Sequence, residues 1–179
     1  HRPKRTNSTM KHLTKPIRAI HFMVLAFLMA LSSPVIAQDF QKGFAAYNAG
    51  DFATALQEWT PLAEAGSSSA QYNLAIMYNN GEGVPQDYAE AVKWYRLAAE
   101  QGHTKAQYNL GFMYKNGEGV PQDYAEAVKW YRLAAEQGDV SPQNSLGIMY
   151  EYGQGVLQDN TMAHMWYNIA SANGHEKAG

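Results

Sequence analysis

Apolar residues return every three to four positions through most of the chain, in stretches of about a dozen residues separated by glycine-containing turns. Between Ser67 and Gly102, Ala70, Leu74, Met77 and Tyr78 follow helical spacing, and so do Ala91, Trp94, Tyr95, Ala98 and Ala99. Two amphipathic helices are predicted. Gly81-Glu82-Gly83-Val84-Pro85-Gln86 lies between them, with two glycines open to positive φ and a proline that cannot continue a helix, so the chain turns back there. Asp87 stands at the N-cap of the second helix, with Glu90 three residues on as the other half of a capping box. Gly102 occupies the C′ position where that helix ends.

The pattern returns from His103 to Gly138, changed at six positions only, and in looser form from Asp139 to Gly174. The units start at 67, 103 and 139, and a fixed period of 36 residues is the mark of a stacked solenoid. Asp123 with Glu126, and Asp159 alone, repeat the cap, and Gly138 and Gly174 repeat the stop. Residues 38–66 read as a shortened N-terminal capping unit of tetratricopeptide type, where Gly50-Asp51 replaces the glycine loop and Ala55, Trp59, Leu62 and Gly66 continue the second-helix pattern. The expected fold is all-α, an αα-hairpin solenoid whose pairs bury their apolar faces against neighbours. Ala75, Gly111 and Gly147 recur inside the first helices, where a small residue permits close helix approach. Trp94-Tyr95, Trp130-Tyr131 and Trp166-Tyr167 are expected to fill the space between adjacent pairs.

The recurring residues Ala-x3-Leu-Gly-x2-Tyr, Gly-x-Gly-Val-x2-Asp and Ala-x2-Trp-Tyr-x2-Ala-Ala-x2-Gly resemble the Sel-one-like repeat (SLR) family, cousins of the tetratricopeptide repeats. The likeness covers Ala70 to Gly174. It implies a right-handed superhelix serving as a non-enzymatic adaptor for protein assembly, in signalling, secretion or the bacterial envelope. For cysteine-rich members it also implies a β-lactamase-like or penicillin-binding activity, and this chain has no cysteine. The third unit departs most: Met162, Met165 and Asn168 stand where the first has Glu90, Lys93 and Arg96, Asn144 replaces Tyr72, and Leu157 replaces Pro85. A second helix stripped of its charged face usually meets another element, so residues 175–179 are expected to begin a further, truncated unit.

The start of the chain has a different character. Residues 1–9 precede the first methionine and read as upstream sequence. Residues 10–37 read as a secretory signal: Lys11, Lys15 and Arg18, an apolar run from Ala19 to Leu31, then Val35 and Ala37 before a cleavage point at Gln38. This predicts a secreted or periplasmic protein with no permanent membrane span after cleavage. From Asp39 onward the chain carries eight basic residues against all sixteen acidic ones. Such a balance disfavours nucleic acid, whose binding needs clustered Lys and Arg. The absence of cysteine excludes disulfides, thiolate zinc sites, a cysteine nucleophile and a lipid-modified cysteine.

Catalytic chemistry has little to draw on. The serine-lysine pair Ser8 and Lys11 falls in the leader and its upstream residues. His164 replaces Val92 and Val128 and is expected to be half-buried packing, while His103 and His175 occupy equivalent turns too far apart to share a metal. Glu82 with Asp87 does not match a calcium-loop spacing. No catalytic, metal or cofactor site is expected.

Function is therefore sought on a surface. The first two units differ at Ser67/His103, Ser68/Thr104, Ser69/Lys105, Ala75/Gly111, Ile76/Phe112 and Asn79/Lys115. Of these, the third, fifth and sixth lie on the first-helix face that lines the concave groove in tetratricopeptide-like solenoids. The candidate partner-binding residues are Tyr72, Asn73, Ile76 and Asn79 in the first unit. Lys105, Tyr108, Asn109, Phe112 and Lys115 follow in the second, and Asn144, Ile148, Glu151 and Tyr152 in the third. An apolar row of Ile76, Phe112 and Ile148 flanked by tyrosines and asparagines suits a peptide or protein segment. Stacking on Tyr72, Tyr108 and Tyr152 makes peptidoglycan a second candidate ligand.

Overall fold

The computed structural model describes residues 40–178, with side chains to Gly174. The leader, the residues before it and the first two residues of the capping unit lie outside the described residues. The described chain is helical throughout: α1 at residues 40–48, α2 Phe52–Glu64, α3 Ser68–Asn80, α4 Tyr88–Glu100, α5 Thr104–Asn116, α6 Tyr124–Glu136, α7 Val140–Tyr152 and α8 Asn160–Ala178. From α2 onward the substantial packing joins consecutive helices, as an αα-hairpin solenoid requires. Among the described residues no helix is long and apolar enough to cross a membrane.

The helix ends are set by the residues the repeat supplies. Asp87 and Asp123 accept from the amides of Glu90 and Glu126 at 2.9 and 3.0 Å, and Asp159 accepts from those of Thr161 and Met162. The reciprocal half of the capping box is not formed. The Asp87 and Asp123 amides donate instead to the carbonyls of Tyr78 and Tyr114 across the loop, both at 2.9 Å, leaving Glu90 and Glu126 to pair with Lys93 and Lys129 one turn on.

Gly102 ends α4 in a Schellman motif. With φ at 86°, its amide reaches the Ala99 carbonyl and that of His103 reaches the Ala98 carbonyl. Gly174 does not act in this way. The backbone passes through it helically and α8 runs on to Ala178, so residue 175 lies in a helix and not in a turn equivalent to His103.

The Trp-Tyr pairs divide their work. Trp94 and Trp130 do lie between successive helix pairs, Trp130 in a cluster with Ala75, Ala91, Leu110 and Met113. The tyrosines pack inside one pair: a Cβ at Gly111 would stand 2.7 Å from the Tyr131 ring, and one at Gly147 2.4 Å from that of Tyr167. The small residue in each first helix therefore receives the tyrosine of its own partner helix. The indole N–H groups of Trp94, Trp130 and Trp166 are buried without a hydrogen-bond partner, so packing rather than hydrogen bonding holds these rings, with the Lys129 ammonium 5.6 Å from the centroid of Trp130.

Two further devices fix how one pair meets the next. A buried glutamine near the start of each first helix uses both ends of its amide. Gln107 donates to the Ala99 carbonyl of the preceding pair at 3.1 Å and accepts from Gln137 of its own pair at 2.8 Å. Gln71 does the same with Ala63 and Gln101, and Gln143 with Ala135 and Asn173. The second device is the loop: a Cβ at Gly119 would stand 2.3 Å from the Tyr88 carbonyl oxygen, at the first turn of the preceding second helix, and Gly155 meets Tyr124 in the same way.

Gln107→Leu should therefore cost about 1–3 kcal/mol, because it removes two hydrogen bonds, one to the buried Ala99 carbonyl and one from Gln137, each worth about 0.5–1.5 kcal/mol. Urea unfolding will show this as a lower midpoint at unchanged slope. Gly119→Ala should destabilise well beyond Gly138→Ala. Both glycines have positive φ, a cost of roughly 1–2 kcal/mol for alanine, but no atom lies within 4 Å of the Cβ position at Gly138 while backbone blocks it at Gly119. Equal melting temperatures for the two variants would show that the loop does not dock this closely.

Candidate functional site

The first helices carry their core residues on one side only. Leu74, Met77, Leu110, Met113, Leu146 and Met149 are buried, while Phe112 is 44% exposed, Ile148 38% and Tyr152 66%. Three recesses open beside these helices. The first, about 600 Å³, lies against Phe40 and Phe44 of α1, Tyr72 and Asn73 of α3, and His103 and Lys105 at the start of α5, with Gln137 and Asp139 beyond. The second, about 270 Å³, is lined by Asn79, Tyr95, Tyr108, Asn109, Phe112, Met113 and Glu118. The third, about 360 Å³, takes in Asn144, Tyr167 and Ser171.

The structure thus brings Tyr72, Asn73 and Lys105 to one recess, Asn79, Tyr108, Asn109 and Phe112 to another, and Asn144 to a third. Ile76, Lys115, Ile148, Glu151 and Tyr152 line none of the three. Ile76 departs most from expectation. It is half-buried against the Ala91–Leu110 cluster, so the exposed apolar row has two members, Phe112 and Ile148. Glu151 is occupied internally, accepting from the Tyr167 hydroxyl at 2.7 Å, and burial with this bond pushes the tyrosine up to about 12. Burial likewise raises the Tyr72 and Tyr95 hydroxyls, while the Asn109 amide that bonds to both moderates the shift.

Sequence reasoning missed the aromatic end of the face. Phe40 and Phe44 stand four residues apart on α1, and that spacing was the available signal. His103 does more than occupy a turn. Its ring stacks on Tyr72 with centroids 4.6 Å apart, and its Nδ1 accepts from the Ala106 amide at 3.3 Å as the N-cap of α5. Ser67 and Asp139 hold the same place 36 residues away on either side, accepting from Ala70 and Ser141. His164 is exposed rather than half-buried. Val92 and Val128 are covered by α5 and α7, and among the described residues no later helix packs on α8 to do the same. No group of three metal-ligating side chains occurs among the described residues.

The electrostatics of the face are uneven. Helix α3 carries no charged residue, α5 carries Lys105 and Lys115, and α7 carries Glu151 alone. Burial, with Lys105 adding to it, holds the His103 imidazole below its ordinary value of 6.5. The neutral ring is the capping acceptor. Because the folded value is the lower one, the unfolded chain takes up this proton first as pH falls. The stability is thus present above 6.5 and is lost as pH drops through that value toward the folded one. Melting temperatures between pH 7 and pH 5 should fall more for the wild-type chain than for His103→Ser, which restores the cap of the first unit; parallel curves would remove His103 from the account.

The Sel1 repeat model matches residues 68–103, 104–139 and 143–175. A protective antigen of uropathogenic Escherichia coli with an SLR fold superposes with a TM-score of 0.75 at 46% identity, over 78% of this chain and 31% of that one. A Sel1 repeat protein from Oxalobacter formigenes gives 0.70 at 37% identity, over 77% and 56%. The chain therefore spans less than two thirds of the length of either. Cysteine rich protein B of Helicobacter pylori shares the fold, at a TM-score of 0.55 and 22% identity over 72% and 92% of the two chains. No curated protein matches the chain. With its 36-residue period, its Gly-x-Gly loops docked on the preceding pair and three consecutive matches to one repeat model, the chain belongs to the Sel1 repeat family.

Proposed function

We propose that this protein is an exported, non-enzymatic scaffold that holds a peptide or protein segment along the face of its first helices. The observation that carries this reading is the one-sided exposure of those helices. Phe112, Ile148 and Tyr152 stand out from the stack, Phe112 beside a recess edged with tyrosine and asparagine, while the opposite sides of the same helices are closed core. Apolar and aromatic anchors set among hydrogen-bonding side chains are the composition of a protein-binding surface. The helices present them on a rigid frame, so binding costs little ordering of the scaffold. Sel1 repeats are in general protein-interaction modules, which agrees with this use of the face.

Export rests on the leader pattern of residues 10–37 and is supported by the likeness to an Escherichia coli protein that is a protective antigen. The folded Phe112→Ala, Tyr108→Ala double variant should lose the partners that the wild-type protein captures from an envelope extract, with a helical circular dichroism spectrum retained and a melting temperature lowered by the loss of the Tyr108–Tyr131 contact. Capture of the same proteins in the same amounts would place the binding surface elsewhere.

A further inference from the structure

The two nearly identical units provide an internal comparison that identifies a ligand chemistry. Of their six differences, three have a structural account: His103 replaces Ser67 as a cap and stacks on Tyr72, Thr104 donates to Gln137 at 2.6 Å, and Gly111 receives the Tyr131 ring. The remaining three are Lys105, Phe112 and Lys115, standing where the first unit has Ser69, Ile76 and Asn79. None of them builds the core. All lie on α5, and both lysines put positive charge on a face whose flanking helices α3 and α7 carry only Glu151, itself bonded to Tyr167, while Asp139 in the Lys105 recess is engaged as the α7 cap by the Ser141 amide. From Asp39 onward the chain carries eight basic against sixteen acidic residues, so the middle of this face reverses the sign of the body around it.

Geometry gives the spacing. Lys105 and Lys115 are ten residues apart on one helix, about 15 Å at the helical rise. An extended chain covers that distance in about four to five residues at about 3.3 Å each. Phe112 lies between them, nearer Lys115, beside the recess of about 270 Å³. Glu118 on the rim of that recess disfavours a carboxylate there and favours an uncharged side chain.

We propose that α5 is a two-lysine clamp for an extended acidic segment, in which carboxylates about four residues apart, and so on one face of the segment, reach Lys105 and Lys115 and an apolar side chain midway between them enters the recess beside Phe112. This rests on the reading of the first-helix face as the binding surface and names the class of segment it selects.

The probe is a fluorescein-labelled peptide, Gly-Glu-Ala-Leu-Ala-Glu-Gly, whose Glu, Leu and Glu side chains share one face of an extended chain, with a control in which both Glu are Gln. The expected result is saturable binding of the acidic peptide that weakens about tenfold in the double variant Lys105→Ser, Lys115→Asn at low salt. The difference should close near about 0.5 M salt. Both substitutions restore residues that the first unit already carries at those positions, so the fold is not at risk. If the control binds as tightly as the acidic peptide and Phe112→Ala abolishes both, the face binds peptides but the clamp is wrong. If the acidic peptide binds the double variant unchanged, or does not bind the wild-type protein at millimolar concentration, the clamp is also wrong; the capture experiment with Phe112 and Tyr108 then decides the face separately.

Discussion

One buried amide per unit sets how the helix pairs stack. Gln71, Gln107 and Gln143 are almost fully buried, and each uses its donor on the preceding pair and its acceptor on the second helix of its own. In a low-dielectric interior an unpaired amide costs more than a lost contact, so a pair that slid or rotated against its neighbour would lose both bonds together. The apolar core has no such directionality. Alanine, leucine and methionine would tolerate small displacements, whereas the glutamine and the docked glycine loop tolerate few. The loop adds the same constraint at the other end of the pair, where the second glycine of the Gly-x-Gly at 119 and 155 lies on backbone and leaves no room for a side chain.

Much of this architecture was legible from spacing because the period is a consequence of stacking. Helices, loops, aspartate caps and the glycine stops at 102 and 138 all followed from apolar periodicity and the few residues that admit a turn. The buried glutamines were not legible in that way. In the first two units Gln71 and Gln107 sit among identical neighbours and look like ordinary solvent positions. The signal was their persistence at Gln143, where the surrounding residues change from Ala70 to Pro142 and from Tyr72 to Asn144. The division between tryptophan and tyrosine was hidden for a related reason: adjacent residues on a helix point about 100° apart, and pattern alone does not say which of two neighbouring helices each will meet.

The candidate face was partly legible. Phe112, Tyr108, Asn79 and Asn109 do surround one recess, because the register of α5 against α3 follows from the repeat. Ile76 escapes the pattern because it packs on the Ala91–Leu110 cluster, whereas Ile148, the same residue at the equivalent wheel position, stays 38% exposed. The recess at α1 could not be found by comparing the three units, since Phe40 and Phe44 belong to the capping unit and have no counterpart in the period.

The same constraint explains where the two copies have diverged. Helices α4 and α6 are identical in sequence, as are the loops before them, and their residues are held by caps, by the Schellman turn and by contact with the first helices on either side. A change there would disturb two neighbours at once. The first helices have one open side, so substitutions at 105, 112 and 115 change that exposed face without loosening the glutamine or the glycine beneath. A solenoid clamped in this way separates the residues that fix its geometry from those on its open face, and three of the six differences between Ser67–Gly102 and His103–Gly138, at 105, 112 and 115, fall in the second group.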